Sequence, residues 1–158
     1  MMTKLCAEVL QALPGKTLVT AESLTGGGIG SALTAVSGSS AVYKGGVISY
    51  TNWVKENILG VSGSVLEREG AVSAPVALSM AEGVRKLLNA DVAVSVTGLA
   101  GPGGDEFGNP VGRVYIGYCD AYRSVVREFT FSGDREAVRS QAVEGALKLI
   151  LEMHKKNP

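Results

Sequence analysis

The chain has 158 residues, of which 46% are hydrophobic and 19% are charged. This composition excludes a disordered chain and is sufficient for one domain with a full hydrophobic core. The 15 Lys and Arg residues balance the 15 Asp and Glu residues, and zero net charge disfavours binding to nucleic acid or to an anionic membrane. The single histidine, His154, lies in the polar carboxyl-terminal tail. Sites that need a histidine on a packed scaffold, such as the Ser-His-Asp triad, are therefore disfavoured.

The cysteines and the amino-terminal residues indicate the cellular compartment. Cys6 and Cys119 are far apart and form no CxxC pair, so we expect two buried, inert thiols rather than a zinc site or a disulfide framework. Glu8 and Gln11 interrupt the first apolar stretch, which argues against a signal peptide or a membrane span. We expect a cytoplasmic protein with a single domain over residues 1–158.

Hydrophobic periodicity and turn residues predict the element order α-β-α-β-α-α-β-β-β-α. This order is typical of an α/β fold, a three-layer α/β/α sandwich with a mixed, mostly parallel sheet. The pair Gly45-Gly46 within the second strand predicts a bulge or a close backbone approach. The helices are predicted at 2–13, 29–36, 52–59, around 65–70, at 74–89 and from 135 to about 153. The strands are predicted at 17–21, 42–50, 91–97, 112–119 and 124–131. The predicted N-caps of the later helices are Thr51, Ser62 or Ser64, and Asp134.

Two glycine-rich segments, 26–28 and 98–112, each follow a predicted strand. Ligands of open α/β sheets bind beyond the carboxyl ends of strands, so we expect both segments to border one pocket. Ser23 lies between a strand end and the first segment, where main-chain N–H groups favour an anion and a nucleophile is exposed. The GxSxG and P-loop patterns are absent, and Ser23 could instead be a simple N-cap.

A nucleophilic serine needs a base, and without a suitable histidine the options are lysine, tyrosine or a carboxylate. Tyr50 and Lys55 follow the second predicted strand, where both could reach the same sheet edge. The alternatives are a solvated helix lysine and a half-buried core ring. A lysine that acts as a base must be neutral, which requires burial or a neighbouring positive charge because its ordinary pKa is about 10.4.

Six sequence blocks resemble the CinA C-terminal domain family, in the order in which the family has them. The resemblance extends over nearly the whole chain, and its specificity lies in the combined set. The blocks are AESLTGG at 21–27, GGVISYTNWVKENILGV at 45–61, GAVS at 70–73, SVTGLAGPGG at 95–104, PVG at 110–112 and GDREAVR at 133–139.

The resemblance implies a stand-alone amidohydrolase that converts nicotinamide mononucleotide to nicotinic acid mononucleotide and ammonia. It implies that Ser23 is the nucleophile and that Tyr50 and Lys55 assist it. We expect no cofactor, and this mechanism needs no metal. The resemblance also implies a small-molecule nucleotide as the partner and is compatible with a homodimer. An alternative is a catalytically weak nucleotide-binding module of the same family. A third, a protein scaffold, rests only on the family's competence name.

The predicted substrate site has two parts. The resemblance implies that Thr97 and Gly98 lie beside the reacting amide, with Arg135 and Arg139 near the substrate. Two phosphate sites remain open: the helix start around Thr25, Gly26 and Gly27, or the arginine pair. The loop that begins near Gly101 is either a flexible turn or a lid over the ring. Its carboxylates Asp105 and Glu106 are more typical of solvated side chains than of a cation site.

Overall fold

The structure, a computed structural model, describes residues 2–155. All the predicted helices and strands are present, but three helices, not the two of the predicted order, lie between the second and third strands, and a short 3-10 helix is added at Ser39–Ala41. The helices are α1 (Met2–Gln11), α2 (Gly28–Thr34), α3 (Asn52–Asn57), α4 (Gly63–Glu69), α5 (Ala74–Leu87) and α6 (Arg135–Met153). The strands are β1 (Leu18–Glu22), β2 (Tyr43–Ile48), β3 (Val92–Gly98), β4 (Arg113–Cys119) and β5 (Ser124–Thr130).

The five strands form one mixed sheet in the order β2-β1-β3-β4-β5. β1 is parallel to β2 and β3, whereas β4 is antiparallel to β3 and β5. Four strands therefore run in one direction and β4 alone is reversed. The carboxyl ends of the neighbouring strands β2, β1 and β3 meet at one edge of the sheet, which is where ligands bind in folds of this type.

Two hydrophobic clusters cover the two faces of the sheet, which confirms the three-layer prediction. One cluster joins α1, α2 and α6 to residues such as Val94 and Ile116. The other joins α4 and α5 to residues such as Val19 and Ala93. β3 alternates between the two clusters at Val92, Ala93 and Val94, which explains its nearly all-apolar sequence.

Both features predicted as alternatives for the Gly45-Gly46 pair, a bulge and a close backbone approach, are present in the structure. Leu18 pairs with Tyr43 but Val19 pairs with Gly45, so β2 contains a bulge at this point. A Cβ on Gly46 would overlap the side chain and the main-chain oxygen of Thr20. Glycine therefore lets β2 approach β1 closely just before the site described below.

Side-chain caps fix three of the helices. The N–H groups of Val54, Val65 and Ala137 donate to Thr51, Ser62 and Asp134, in that order. The cap of α4 is therefore Ser62 and not Ser64. α2 follows Gly27 and has no side-chain cap, so the N-cap interpretation of Ser23 is wrong.

His154 ends α6 and packs against the fold through the ring of Tyr118. His154 lies 2.7 Å from the hydroxyl of the buried Tyr118 and is far in sequence from the predicted site. Cys6 and Cys119 are buried and free, as predicted, and burial raises the pKa of both thiols. Among residues 2–155, no helix is both long enough and apolar enough to cross a membrane.

Candidate active site

A cleft of about 430 Å³ opens at the carboxyl ends of β1, β2 and β3. Ser23 directly follows β1, Gly98 ends β3, and Lys55 reaches the cleft from α3. Of the predicted site residues, those that line the cleft are Ser23, Tyr50, Lys55, Thr97, Gly98, Gly101 and Arg135. Those outside its lining are Thr25, Gly26, Gly27 and Arg139. The segment 98–112 thus borders the cleft, whereas the glycines of 26–28 do not.

Ser23 and Lys55 are in direct contact. Lys55 Nζ lies 3.0 Å from Ser23 Oγ and also donates to the carbonyls of Ser49, at 2.7 Å, and Tyr50, at 3.4 Å. Lys55 is only 1% exposed and Ser23 only 7%. The solvated-lysine alternative is therefore wrong: the Thr51-capped helix α3 directs this side chain into the sheet edge.

Burial changes the protonation of Lys55, because removing water disfavours its charged form. It lowers the pKa of Lys55 from 10.5 to about 8. When Lys55 is protonated, its Nζ carries three N–H donors, one for each of its three hydrogen-bond acceptors. When neutral, it keeps two donors for the carbonyls of Ser49 and Tyr50 and gains a lone pair that can accept the hydroxyl proton of Ser23. The geometry suits proton transfer between Ser23 and Lys55.

Tyr50 contributes to the site in two ways. Its carbonyl accepts a hydrogen bond from Lys55, while Arg135 Nη2 donates to its hydroxyl at 3.4 Å. Its ring is 59% exposed, so the alternative of a half-buried core ring is wrong. The hydroxyl lies at the mouth of the cleft, where it meets Arg135.

Thr97 and Gly98 form a rigid wall of the cleft. Thr97 is buried and its hydroxyl donates to the carbonyl of Ala71 at 2.7 Å. A Cβ on Gly98 would lie 2.7 Å from the carbonyl oxygen of Arg113, so only glycine fits there without a shift of the backbone. The wall therefore depends on contacts that β3 makes with the segment before α5 and with β4.

Glu22 was not singled out by the sequence analysis, yet its carboxylate fills the start of α2. Oε1 accepts hydrogen bonds from Thr25 Oγ1 at 2.7 Å and from the N–H of Ile29 at 2.8 Å. Oε2 accepts from the N–H of Gly30 at 3.1 Å and from Thr20 Oγ1 at 3.3 Å. The sequence signal was an acidic residue at the end of a strand that is otherwise apolar or neutral. Because Glu22 uses these donors, the structure disfavours the Thr25–Gly27 segment as a phosphate site.

The two predicted arginines lie one turn apart on α6 but have different contacts. Arg135 lines the cleft and Nη1 donates to the carbonyl of Gly101 at 2.7 Å. Arg139 donates to the carbonyls of Leu24, at 2.9 Å, and Thr25, at 3.4 Å. Arg135 therefore faces the cleft, whereas Arg139 braces the turn that carries Ser23.

Asp105 orders the loop beyond Gly101. Its carboxylate accepts hydrogen bonds from the N–H groups of Phe107 and Asn109 and from the Asn109 side chain. Asn109 Nδ2 also donates to the carbonyl of Val72 at 3.0 Å, which attaches the loop to the wall of the cleft. Within residues 2–155, no three His, Cys, Asp or Glu side chains are grouped so that they could hold a metal ion.

The fold and cleft agree with the comparisons to known proteins. The family model for the CinA C-terminal domain matches residues 2–154, and the chain belongs to this family. A CinA-like protein of a Synechococcus species is 49% identical over 150 residues, which cover 92% of this chain and 36% of that protein. A putative competence-damage inducible protein of Thermoanaerobacter pseudethanolicus is 48% identical over 134 residues, covering 85% of this chain and 32% of that protein. The chain thus spans about a third of the length of these relatives.

Solved structures extend the similarity to three dimensions. A CinA superfamily protein of Escherichia coli superposes with a TM-score of 0.94 at 37% identity, covering 97% of this chain and 90% of that one. The competence/damage inducible protein CihA of Agrobacterium tumefaciens gives a TM-score of 0.93 at 37% identity, covering 98% and 96%. The similarity therefore includes nearly the whole fold, and with it the strand ends that carry the cleft.

Proposed function

We propose that this protein is an amidohydrolase that converts nicotinamide mononucleotide to nicotinic acid mononucleotide and ammonia. The observation that carries the proposal is the buried contact of 3.0 Å between Ser23 Oγ and Lys55 Nζ. A binding module needs neither a nucleophile nor a base. Burying a lysine costs free energy, which argues against a lysine that serves only to bind a ligand. The choice of this nucleotide as substrate rests on the resemblance to the family.

In the first half of the reaction, Lys55 first accepts a proton and then donates it. Neutral Lys55 accepts the hydroxyl proton of Ser23 while Oγ forms a bond to the carboxamide carbon. The carbon–nitrogen bond of the tetrahedral intermediate then breaks as the Lys55 ammonium donates that proton to the departing nitrogen. The amide nitrogen leaves as ammonia, and the nicotinoyl group remains as an ester on Ser23.

The second half returns the enzyme to its starting state. Lys55 accepts a proton from a water molecule whose oxygen attacks the ester carbon, and then donates that proton to Ser23 Oγ as the ester bond breaks. Near Ser23, the N–H groups of Ser23 and Gly26 already donate to the carbonyls of Val96 and Ser23. We therefore assign the N–H group of Leu24, a residue that lines the cleft, to the oxyanion in both halves.

The charge around the cleft suggests how the nucleotide is oriented. The neutral carboxamide reaches Ser23, and the phosphate lies toward Arg135, the cleft-lining arginine at the mouth. A guanidinium can bind a phosphate through two parallel hydrogen bonds. The cleft volume of about 430 Å³ lies within the ordinary range for sites that bind small molecules.

The test is ammonia release from nicotinamide mononucleotide by the purified protein, with the acid product measured in parallel. Ser23→Ala should lower kcat by at least about 10³-fold while affinity for the nucleotide changes little, because phosphate contacts remain. Ser64→Ala is the matched control, since Ser64 is exposed and lies outside the cleft lining. Tight binding without turnover by the wild type would favour the binding module, and turnover by Ser23→Ala within tenfold of the wild type would exclude Ser23 as nucleophile.

A further inference from the structure

Glu22 is a buried acidic residue next to the proposed nucleophile. It is 2% exposed, and all five residues of β1 are buried. Its carboxylate meets four donors: two main-chain N–H groups of α2 and the hydroxyls of Thr20 and Thr25. An ionised carboxylate only accepts hydrogen bonds, and each of its oxygens has room for two. The four donors therefore saturate Glu22 and fix the chain on both sides of Ser23.

The main chain of Glu22 is also connected to the base. Its carbonyl accepts a hydrogen bond from the N–H of Ser49 at 2.8 Å, and the carbonyl of Ser49 accepts a hydrogen bond from Lys55 Nζ at 2.7 Å. Ser23, in turn, is covalently attached to Glu22, and the N–H of Ser23 donates to Val96 of β3. One residue thus joins the start of α2, the end of β2 and the turn that carries Ser23.

We propose that Glu22 is a positioning residue, which holds Ser23 Oγ in contact with Lys55 Nζ by anchoring the start of α2 through its carboxylate. The inference deepens the proposed function and rests on it, since the Ser23–Lys55 pair is what Glu22 positions. Glu22 does not touch the substrate. It acts through the turn that carries Ser23, and it also occupies the main-chain donors that a substrate phosphate would otherwise use.

Glutamine is the sharpest substitution because it keeps the shape of the side chain. Its amide group has one oxygen and one NH2, so either Ile29 and Thr25 or Gly30 and Thr20 would face a donor instead of an acceptor. The turn must then move to relieve the contact. A displacement of about 1 Å in a reacting pair costs on the order of 10²-fold in rate.

The experiment compares Glu22→Gln with the wild type by steady-state kinetics on nicotinamide mononucleotide. We expect kcat to fall on the order of 10²-fold, with KM within about threefold because the residues that contact substrate are unchanged. The matched control is Asp91→Asn. Asp91 also accepts an N–H and a hydroxyl, both from Thr17, but precedes β3 at the opposite end of the sheet. Asp91→Asn should have a lower free energy of unfolding than the wild type and the same kcat.

A second readout does not depend on the natural substrate. Acylation of Ser23 by p-nitrophenyl acetate releases a burst of p-nitrophenol, which Ser23→Ala should abolish and Glu22→Gln should slow by the same factor as kcat. If the wild type shows the burst but releases no ammonia from the nucleotide, the proposed substrate is wrong and the burst still decides the role of Glu22. If the wild type shows neither, there is no nucleophile to position and both proposals fail.

The remaining outcomes separate positioning from folding and binding. A folded Glu22→Gln with at least half of the wild-type kcat overturns the inference, and so does a rise in KM at unchanged kcat. If Glu22→Gln does not fold, the variant Thr25→Val tests the positioning role instead. It removes one hydrogen-bond donor to Glu22 Oε1 and leaves the carboxylate in place. A several-fold loss of kcat in Thr25→Val supports the positioning role, and an unchanged kcat overturns it.

Discussion

Replacing Lys55 with methionine tests the burial of its charge, because methionine is similar in length and uncharged. Lys55 is 1% exposed, and burial lowers its pKa from 10.5 to about 8. One pKa unit corresponds to about 1.4 kcal/mol, so the protonated lysine destabilises the folded state by about 3 kcal/mol. Methionine avoids this cost, although it leaves the carbonyls of Ser49 and Tyr50 without their donor, at about 1 to 3 kcal/mol each. Near pH 7 we therefore expect similar stabilities for Lys55→Met and the wild type.

The difference between the two proteins should change with pH in one direction. Between about pH 8 and 10.5 the unfolded chain binds more protons at Lys55 than the folded protein does, because the pKa is lower in the folded state. The free energy of unfolding of the wild type therefore rises with pH across this window relative to Lys55→Met. Below about pH 8 both states are protonated and the cost is present in full. The total relative gain of the wild type is about 3 kcal/mol.

The assay is guanidinium unfolding of both proteins at several pH values from about 7 to 10, with turnover measured on the same samples. Lys4→Met, which removes an exposed lysine of α1, is the control for general effects of alkaline pH. Turnover of the wild type should rise with pH and level off above about 8, while Lys55→Met should lose about 10²- to 10⁴-fold at every pH. A stability difference that stays constant across the range would refute the argument that Lys55 is a buried, readily deprotonated amine.

Three further predictions test the base, the absence of a metal step and the strand contact. Lys55→Arg keeps a charge that does not deprotonate at ordinary pH, so kcat should fall at least about 100-fold; near wild-type turnover would make Lys55 a binding residue. Dialysis against a strong chelator should leave ammonia release unchanged, because the proposed steps use Ser23 and Lys55 only, and activity that is lost and then restored by one divalent ion would contradict them. Gly46→Ala should destabilise by about 1 to 3 kcal/mol in chemical unfolding, because its Cβ would overlap Thr20. Gly103→Ala, with open space around the new Cβ, is the matched control.

The fold was predictable because its signals are local. Alternating and helical hydrophobic patterns lie within single elements, and a cap such as Asp134 lies three residues from the N–H it accepts. The close approach at Gly46 was predicted for the same reason, since two adjacent glycines inside a strand pattern already indicate it. The ends of helices were less predictable: the helix predicted at 74–89 ends at Leu87, which is 52% exposed.

The roles of individual charged residues were less predictable, because they depend on contacts between distant segments. Arg139 and Leu24 are separated by 115 positions, and nothing near Arg139 distinguishes it from the cleft-lining Arg135 one turn earlier. Lys55, taken with its own helix alone, resembles any solvated lysine. Its burial arises only when α3 packs over the turn that carries Ser23, and this packing also gives it a lowered pKa.

The buried charges show why the two candidate phosphate sites are not equivalent. At the start of α2, the Glu22 carboxylate already accepts the N–H groups of Ile29 and Gly30, so a second anion there would find these donors occupied and would be repelled by Glu22. Arg135 is held by the carbonyl of Gly101 and the hydroxyl of Tyr50, both neutral acceptors, and within residues 2–155 it forms no salt bridge. A substrate anion is therefore attracted to the mouth of the cleft and repelled from the turn behind Ser23. In the proposed reaction, this separation leaves the neutral carboxamide as the group that reaches Ser23.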